Sequence, residues 1–108
     1  MITAETHTRK AFENASEDFV RGAVWAVKMV NGYIAQNRQV NYYEDIIEIL
    51  KLEERIPDLI AEEKESYEFN RGASWGFEKF VMEPAKDESL DCGDRLVVIG
   101  GFASDIKA

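Results

Sequence analysis

Cysteine and histidine each occur once in this chain, and their scarcity narrows the chemistry open to it. Cys92 has no second cysteine to bridge, so an internal disulfide is excluded. His7 stands far from Cys92 in sequence, and nothing local suggests a Cys–His nucleophile pair. The same two residues make no convincing zinc set, and one histidine near a terminus supports no Ser–His–acid arrangement. Neither a GxxxxGK[ST] phosphate loop nor a GxGxxG turn is present, and Gly100-Gly101 opens no long helix. No apolar run approaches the roughly 20 residues needed to cross a bilayer. Met1 to His7 lacks the basic-then-apolar order of a secretory signal. With a free thiol, this points to a cytoplasmic protein.

Positive charge is also short: 13 Lys and Arg stand against 21 Asp and Glu, giving a net charge of −8. Direct nucleic-acid binding is disfavoured, because phosphate contacts need clustered cations. The excess is local. Between Glu44 and Glu68 ten acids (Glu44, Asp45, Glu48, Glu53, Glu54, Asp58, Glu62, Glu63, Glu65, Glu68) face only Lys51, Arg55 and Lys64, so this segment carries −7. An acidic face of this kind suits a basic protein partner, or serves solubility.

What the chain does have is a repeated stretch. Phe19-Val20-Arg21-Gly22-Ala23-Val24-Trp25 returns fifty positions later as Phe69-Asn70-Arg71-Gly72-Ala73-Ser74-Trp75, and both tryptophans of the protein lie within it. Upstream, Ala11, Glu13, Ser16 and Asp18 match Ala61, Glu63, Ser66 and Glu68. The pattern reads as the duplication of one helical unit. On helices, Phe19, Ala23, Ala26 and Val30 form one apolar stripe, and Phe69, Ala73, Gly76 and Phe80 form its counterpart. Glycine inside a helix costs about 1 kcal/mol relative to alanine, so Gly22 and Gly72 need a compensating gain. The expected gain is close approach of two helices crossing at these glycines about a pseudo-twofold axis. Asp18, Arg21 and Trp25, matched by Glu68, Arg71 and Trp75, are expected as two structural clamps, with each acid neutralising its arginine and each arginine stacking on the indole four residues on. The competing reading has Arg21 and Arg71 converge on an anionic ligand.

The fold expected is one mainly α domain over 1–108, a small helical bundle with helices at about 4–36, 42–53 and 57–83 and a short C-terminal extended segment. Ser16 is a potential N-cap inside the first helix. Asn41-Tyr42-Tyr43-Glu44 reads as a capping box and Pro57 as a helix start. Leu96-Val97-Val98-Ile99 is β-branched and predicts a strand within 95–101, with Gln39-Val40-Asn41 or another subunit as its partner.

Two carboxylate pairs, Asp45-x-x-Glu48 and Glu65-x-x-Glu68, lie on predicted helices. Their arrangement resembles that of the all-α nucleotide pyrophosphohydrolases of the MazG/dUTPase type, with Asp in place of Glu at position 45 and Glu in place of Asp at position 68. The resemblance implies Mg²⁺ held by Asp45, Glu48, Glu65 and Glu68, and a nucleotide substrate.

The leading functional expectation is a non-enzymatic, cofactor-free binding protein. Its acidic face (Glu44, Asp45, Glu48, Glu54, Asp58, Glu62, Glu63, Glu65) would occupy a basic surface of a protein partner. Phage and mobile-element inhibitors of host defence proteins share this make-up, which would place the chain in the host cytoplasm. An adaptor that completes its bundle as a homodimer is the second expectation, and the Mg²⁺-dependent hydrolase the third.

Overall fold

A computed structural model of the chain describes residues 3–36 and 41–103. The order is α1 (Ala4–Ala11), α2 (Glu17–Gln36), α3 (Tyr42–Lys51), a 3₁₀ turn (Leu52–Arg55), α4 (Ile56–Glu62), α5 (Tyr67–Gly76), a π-helical segment (Phe77–Met82), α6 (Glu83–Ala85) and α7 (Cys92–Gly101). The described residues form a helical bundle and contain no strand.

The bundle is built on the crossing of α2 with α5, its most extensive helix–helix contact. A Cβ placed on Gly22 would lie 2.1 Å from the Phe69 carbonyl oxygen, and one on Gly72 would lie 1.9 Å from the Phe19 carbonyl oxygen. The contact is therefore reciprocal and runs main chain to main chain. Gly76 repeats it one turn on, where a Cβ would lie 2.8 Å from Ala23 Cα. The expected crossing at Gly22 and Gly72 is thus observed, and the space released by the absent side chains offsets the glycines' poor helix propensity.

Both long helices expected from the sequence are interrupted, each just before the repeat. The first breaks between Ala11 and Glu17, where Ser16 Oγ accepts from Phe19 N at 3.2 Å. The second breaks between Glu62 and Tyr67, where Ser66 Oγ accepts from Phe69 N, also at 3.2 Å. These serines are N-caps, each satisfying an orphan N–H of a new first turn. Lys64 takes the left-handed conformation at φ 54° to make the second corner. The helix expected at 42–53 runs from Tyr42 to Lys51, capped by Asn41 Oδ1, which accepts from Tyr43 N and Glu44 N at 3.0 and 3.2 Å. Past α5 the helix does not stop at Glu83 but continues through Pro84 to Ala85. The wide π turn before it loosens the backbone register, which removes the need for the N–H that proline lacks. It also brings Phe77, Phe80, Val81 and Met82 all into the interior.

The extended C-terminal segment is overturned. Residues 92–101 are helical, started by Asp91, whose Oδ1 accepts from Asp94 N at 2.8 Å. Arg95 Nε then donates to Leu90 O at 2.9 Å and its Nη1 to Ala85 O at 3.3 Å, tying α7 to the end of α6. Ile99 is fully buried in the main core while Val97 is 70% exposed. Packing of one helical face outweighs the weak β preference of Val97-Val98-Ile99. Of the partner strand expected at residues 39–41, Gln39 and Val40 lie outside the described residues.

The core divides in two. Ile49, Leu52, Ile60, Phe69, Phe77 and Ile99 belong to the larger part, against which Trp25 packs; Val27, Phe80 and Ala103 join Ala4 in the smaller. His7 closes the smaller part, its ring 5.9 Å from that of Phe80 and 5.4 Å from that of Phe102, while Ala4 N donates to Phe102 O at 2.9 Å.

Candidate functional site: clamps, acids and a groove

The clamp residues come together as a pair, but not through the contacts expected. Arg21 Nη2 donates to Asp18 Oδ1 at 3.2 Å and Arg71 Nη1 to Glu68 Oε2 at 2.9 Å, so the acid-to-arginine pairing holds in both copies. The stacking partners are different. Arg21 Cζ lies 5.0 Å from the Phe69 ring centroid and Arg71 Cζ 5.6 Å from that of Phe19, so each guanidinium reaches the opposite helix. The indoles face inward instead. Trp25 packs on Phe69 and Phe77, and Trp75 on Phe12, Phe19 and Phe80. The reason is helical geometry. A residue at i+4 lies about 40° further round than its predecessor, and at a close crossing that rotation carries a large ring under the partner helix.

Further bonds lock the first clamp. Arg21 Nη2 also donates to Glu65 Oε1 at 2.9 Å, and Ser66 Oγ donates to Asp18 Oδ2 at 2.8 Å. The Ser66 hydroxyl, then Arg21, hold the Asp18 carboxyl below its ordinary range. Glu65 and Asp18 in turn raise the Arg21 guanidinium, as Glu68 does that of Arg71. Both arginines are therefore engaged by carboxylates and by rings, not aimed jointly at an open anion site.

The four carboxylates proposed as a metal set do not converge. Glu65 serves Arg21, Glu68 serves Arg71, Glu48 Oε1 accepts from Lys51 at 3.1 Å, and Asp45 lies on α3 beside α7. Among the described residues no group of three or more His, Cys, Asp or Glu is close enough to hold a metal ion. His7 and Cys92 are also apart: His7 packs at the C-terminal end of α7 and Cys92 begins that helix, a separation of roughly 14 Å along its axis.

The acidic run of α3, the 3₁₀ turn and α4 lies on the surface. Glu53 is tied across to Lys86 at 2.6 Å. By contrast, Glu44, Glu54, Asp58, Glu62 and Glu63 are exposed and form no ion pair among the described residues. Asp58 and Glu62 share one side of α4 at a spacing of one turn.

A groove of about 720 Å³ lies between α3 and α7. Leu96, Val97, Gly93 and Gly100 line it with Tyr42, and Asp45, Asp91 and Asp94 supply charges of one sign. Sequence reasoning missed it, since a strand at 95–101 puts successive residues on opposite faces. Its signal was present as Asp91-x-x-Asp94, a helix start that polar content disguised as loop.

No protein-family model matches the chain, and comparison with curated proteins and with solved structures gave no match. Among the described residues no helix is long and apolar enough to cross a membrane.

Proposed function

We propose that the chain is a small acidic binding protein that acts by occupying a basic surface of a protein partner, as an inhibitor or adaptor does. The observation that carries this reading is the division of labour among its charges. Carboxylates around the α2–α5 crossing are engaged with arginines, while Glu44, Glu54, Asp58, Glu62 and Glu63 stay exposed and uncompensated among the described residues. Like charges gathered on one segment repel one another, and a cationic partner relieves that repulsion. Association through such a face is fast at low ionic strength and weakens as salt is added.

The test is affinity enrichment from a cell lysate with the wild-type chain and with the Glu54→Lys, Asp58→Lys, Glu62→Lys variant. None of these three makes an ion pair among the described residues, so the fold should survive, which circular dichroism checks. Proteins enriched by the wild type should be lost from the variant. Equal enrichment by both would remove the acidic face as the interface. Glu65 is left out because its reversal would disturb Arg21.

A further inference from the structure

We infer that the α3–α7 groove is the seat of a short, basic, amphipathic helix of a protein partner. The inference rests on reading the chain as a binding protein, but it places the apolar part of the contact on a surface distinct from α4. Val97 is 70% exposed and Tyr42 54% exposed, large apolar surface that folding leaves in water. Val97 projects from α7 between Gly93, whose missing side chain is covered by the Tyr42 ring (3.2 Å from an added Cβ), and Gly100. A Cβ on Gly100 would meet only Asn31 Oδ1, at 3.8 Å, so the groove is open there to an approaching helix.

The charges decide what kind of occupant fits. Asp45, Asp91 and Asp94 line the groove and no Lys or Arg does. Arg95, the cation on α7, is turned away to Leu90 O and Ala85 O. A second copy of the chain seated face to face would bring its own three aspartates against these, with no lining cation to offset them. A helix with an apolar stripe at i, i+3, i+4 and i+7, bordered by Lys or Arg, meets both requirements. The groove's walls are ten-residue helices, about 15 Å long, so the occupant contributes two to three turns. A contact of that length lies at the small end of protein interfaces, and its strength depends on how well the apolar stripe and the flanking cations fit, not on area.

The experiment is fluorescence anisotropy with a labelled synthetic peptide of about 15 residues, leucines on one helical face and lysines on the other, at near-physiological salt. A peptide of the same composition with the stripe scrambled is the control. The wild-type chain should bind the striped peptide and discriminate against the scrambled one. Val97→Arg should weaken binding about tenfold or more, and Asp45→Asn with Asp94→Asn should weaken it by a similar factor. Val97 is exposed and Asp94 donates its backbone N–H to the cap, not its side chain, so these changes spare the fold. Binding that resists Val97→Arg but is lost in the Glu54, Asp58, Glu62 reversal overturns the groove and leaves the acidic-face reading standing. Equal binding of striped and scrambled peptides also overturns the groove, since charge alone would then account for it. Failure of both peptides to bind overturns the groove, while the acidic-face reading stands or falls on the enrichment experiment.

Discussion

Alanine at Gly72 is the sharpest perturbation of this fold. Elsewhere in a helix the change stabilises, by about 1 kcal/mol, because glycine has more backbone freedom to lose. Here the added Cβ would stand 1.9 Å from the Phe19 carbonyl oxygen, 2.7 Å from its carbon and 2.9 Å from its Cα. All of these are backbone atoms, so no rotamer change relieves the clash. Ordinary contact begins near 3.4 Å, so the two helices must separate locally by more than 1 Å, and the distance lost is shared by every side chain at the crossing. Overpacking of a well-filled core costs typically 1–3 kcal/mol, and loosening of Phe19, Phe69 and the two indoles adds to it. The net expectation is a loss of about 2 kcal/mol or more, which in a domain of this size lowers Tm by roughly 10 °C. Gly32→Ala is the matched control, in the same helix as Gly22, with nothing within 4 Å of its added Cβ. It should raise stability by roughly 0.5–1 kcal/mol. Urea unfolding of the two variants beside the wild type reads the difference, provided the m-values agree. If Gly72→Ala and Gly32→Ala shift the midpoint in the same direction, close backbone approach is not what holds α2 against α5.

Asp18 links stability to pH. Its carboxyl is held below the ordinary 3.8 by the Ser66 hydroxyl and then Arg21, so its contribution is fully present above about pH 4 and disappears as pH falls through the lowered native value. Asp18→Asn should flatten the acid limb of a stability–pH profile there and leave its shape near neutrality unchanged, which urea midpoints at a series of pH values would measure. Lys64 carries φ 54°, so Lys64→Gly should stabilise the corner before α5 by up to about 1 kcal/mol, whereas a β-branched residue there should destabilise it; thermal melts separate the two.

The repeat made the centre of the fold legible. Gly22 and Gly72 recur with an aromatic three residues before and an alanine directly after, and helical spacing leaves few reasons for that pattern other than a close crossing. Helix breaks were harder to read because the residues after Ser16 (Glu17-Asp18) and after Ser66 (Tyr67-Glu68) suit a continuing helix as well as a new first turn. Only tertiary contact distinguishes them: α1 turns back to be held by the bidentate bond from Arg9 to Glu17, both at 3.0 Å, and by the packing of His7. The C-terminal helix was misread for the opposite reason. Three β-branched residues in a row dominate a propensity argument, while the features that make it a helix, the Asp91 cap and the Arg95 ties to Leu90 and Ala85, depend on neighbours that local sequence does not identify.

The candidate site follows the same division. Pairing of Asp18 with Arg21 and of Glu68 with Arg71 is short-range and could be read from spacing alone; the placement of each arginine on the other copy's phenylalanine could not, because it depends on how closely the helices cross. Exposure of Glu54, Asp58 and Glu62 followed from their density in sequence, since so many carboxylates in one short segment cannot be buried without partners. The α3–α7 groove is the case where structure adds most. Asp45 lies forty-six residues before Asp91, and only the docking of α7 beside α3 turns two helix-start acids and an exposed valine into one surface. That docking depends on Ile99 and Leu96 in the main core, on the Arg95 bonds and on the Tyr42 ring against Gly93, not on Val97. Val97, 70% exposed, takes no part in that docking, which is why it can be charged without dismantling what lies beneath.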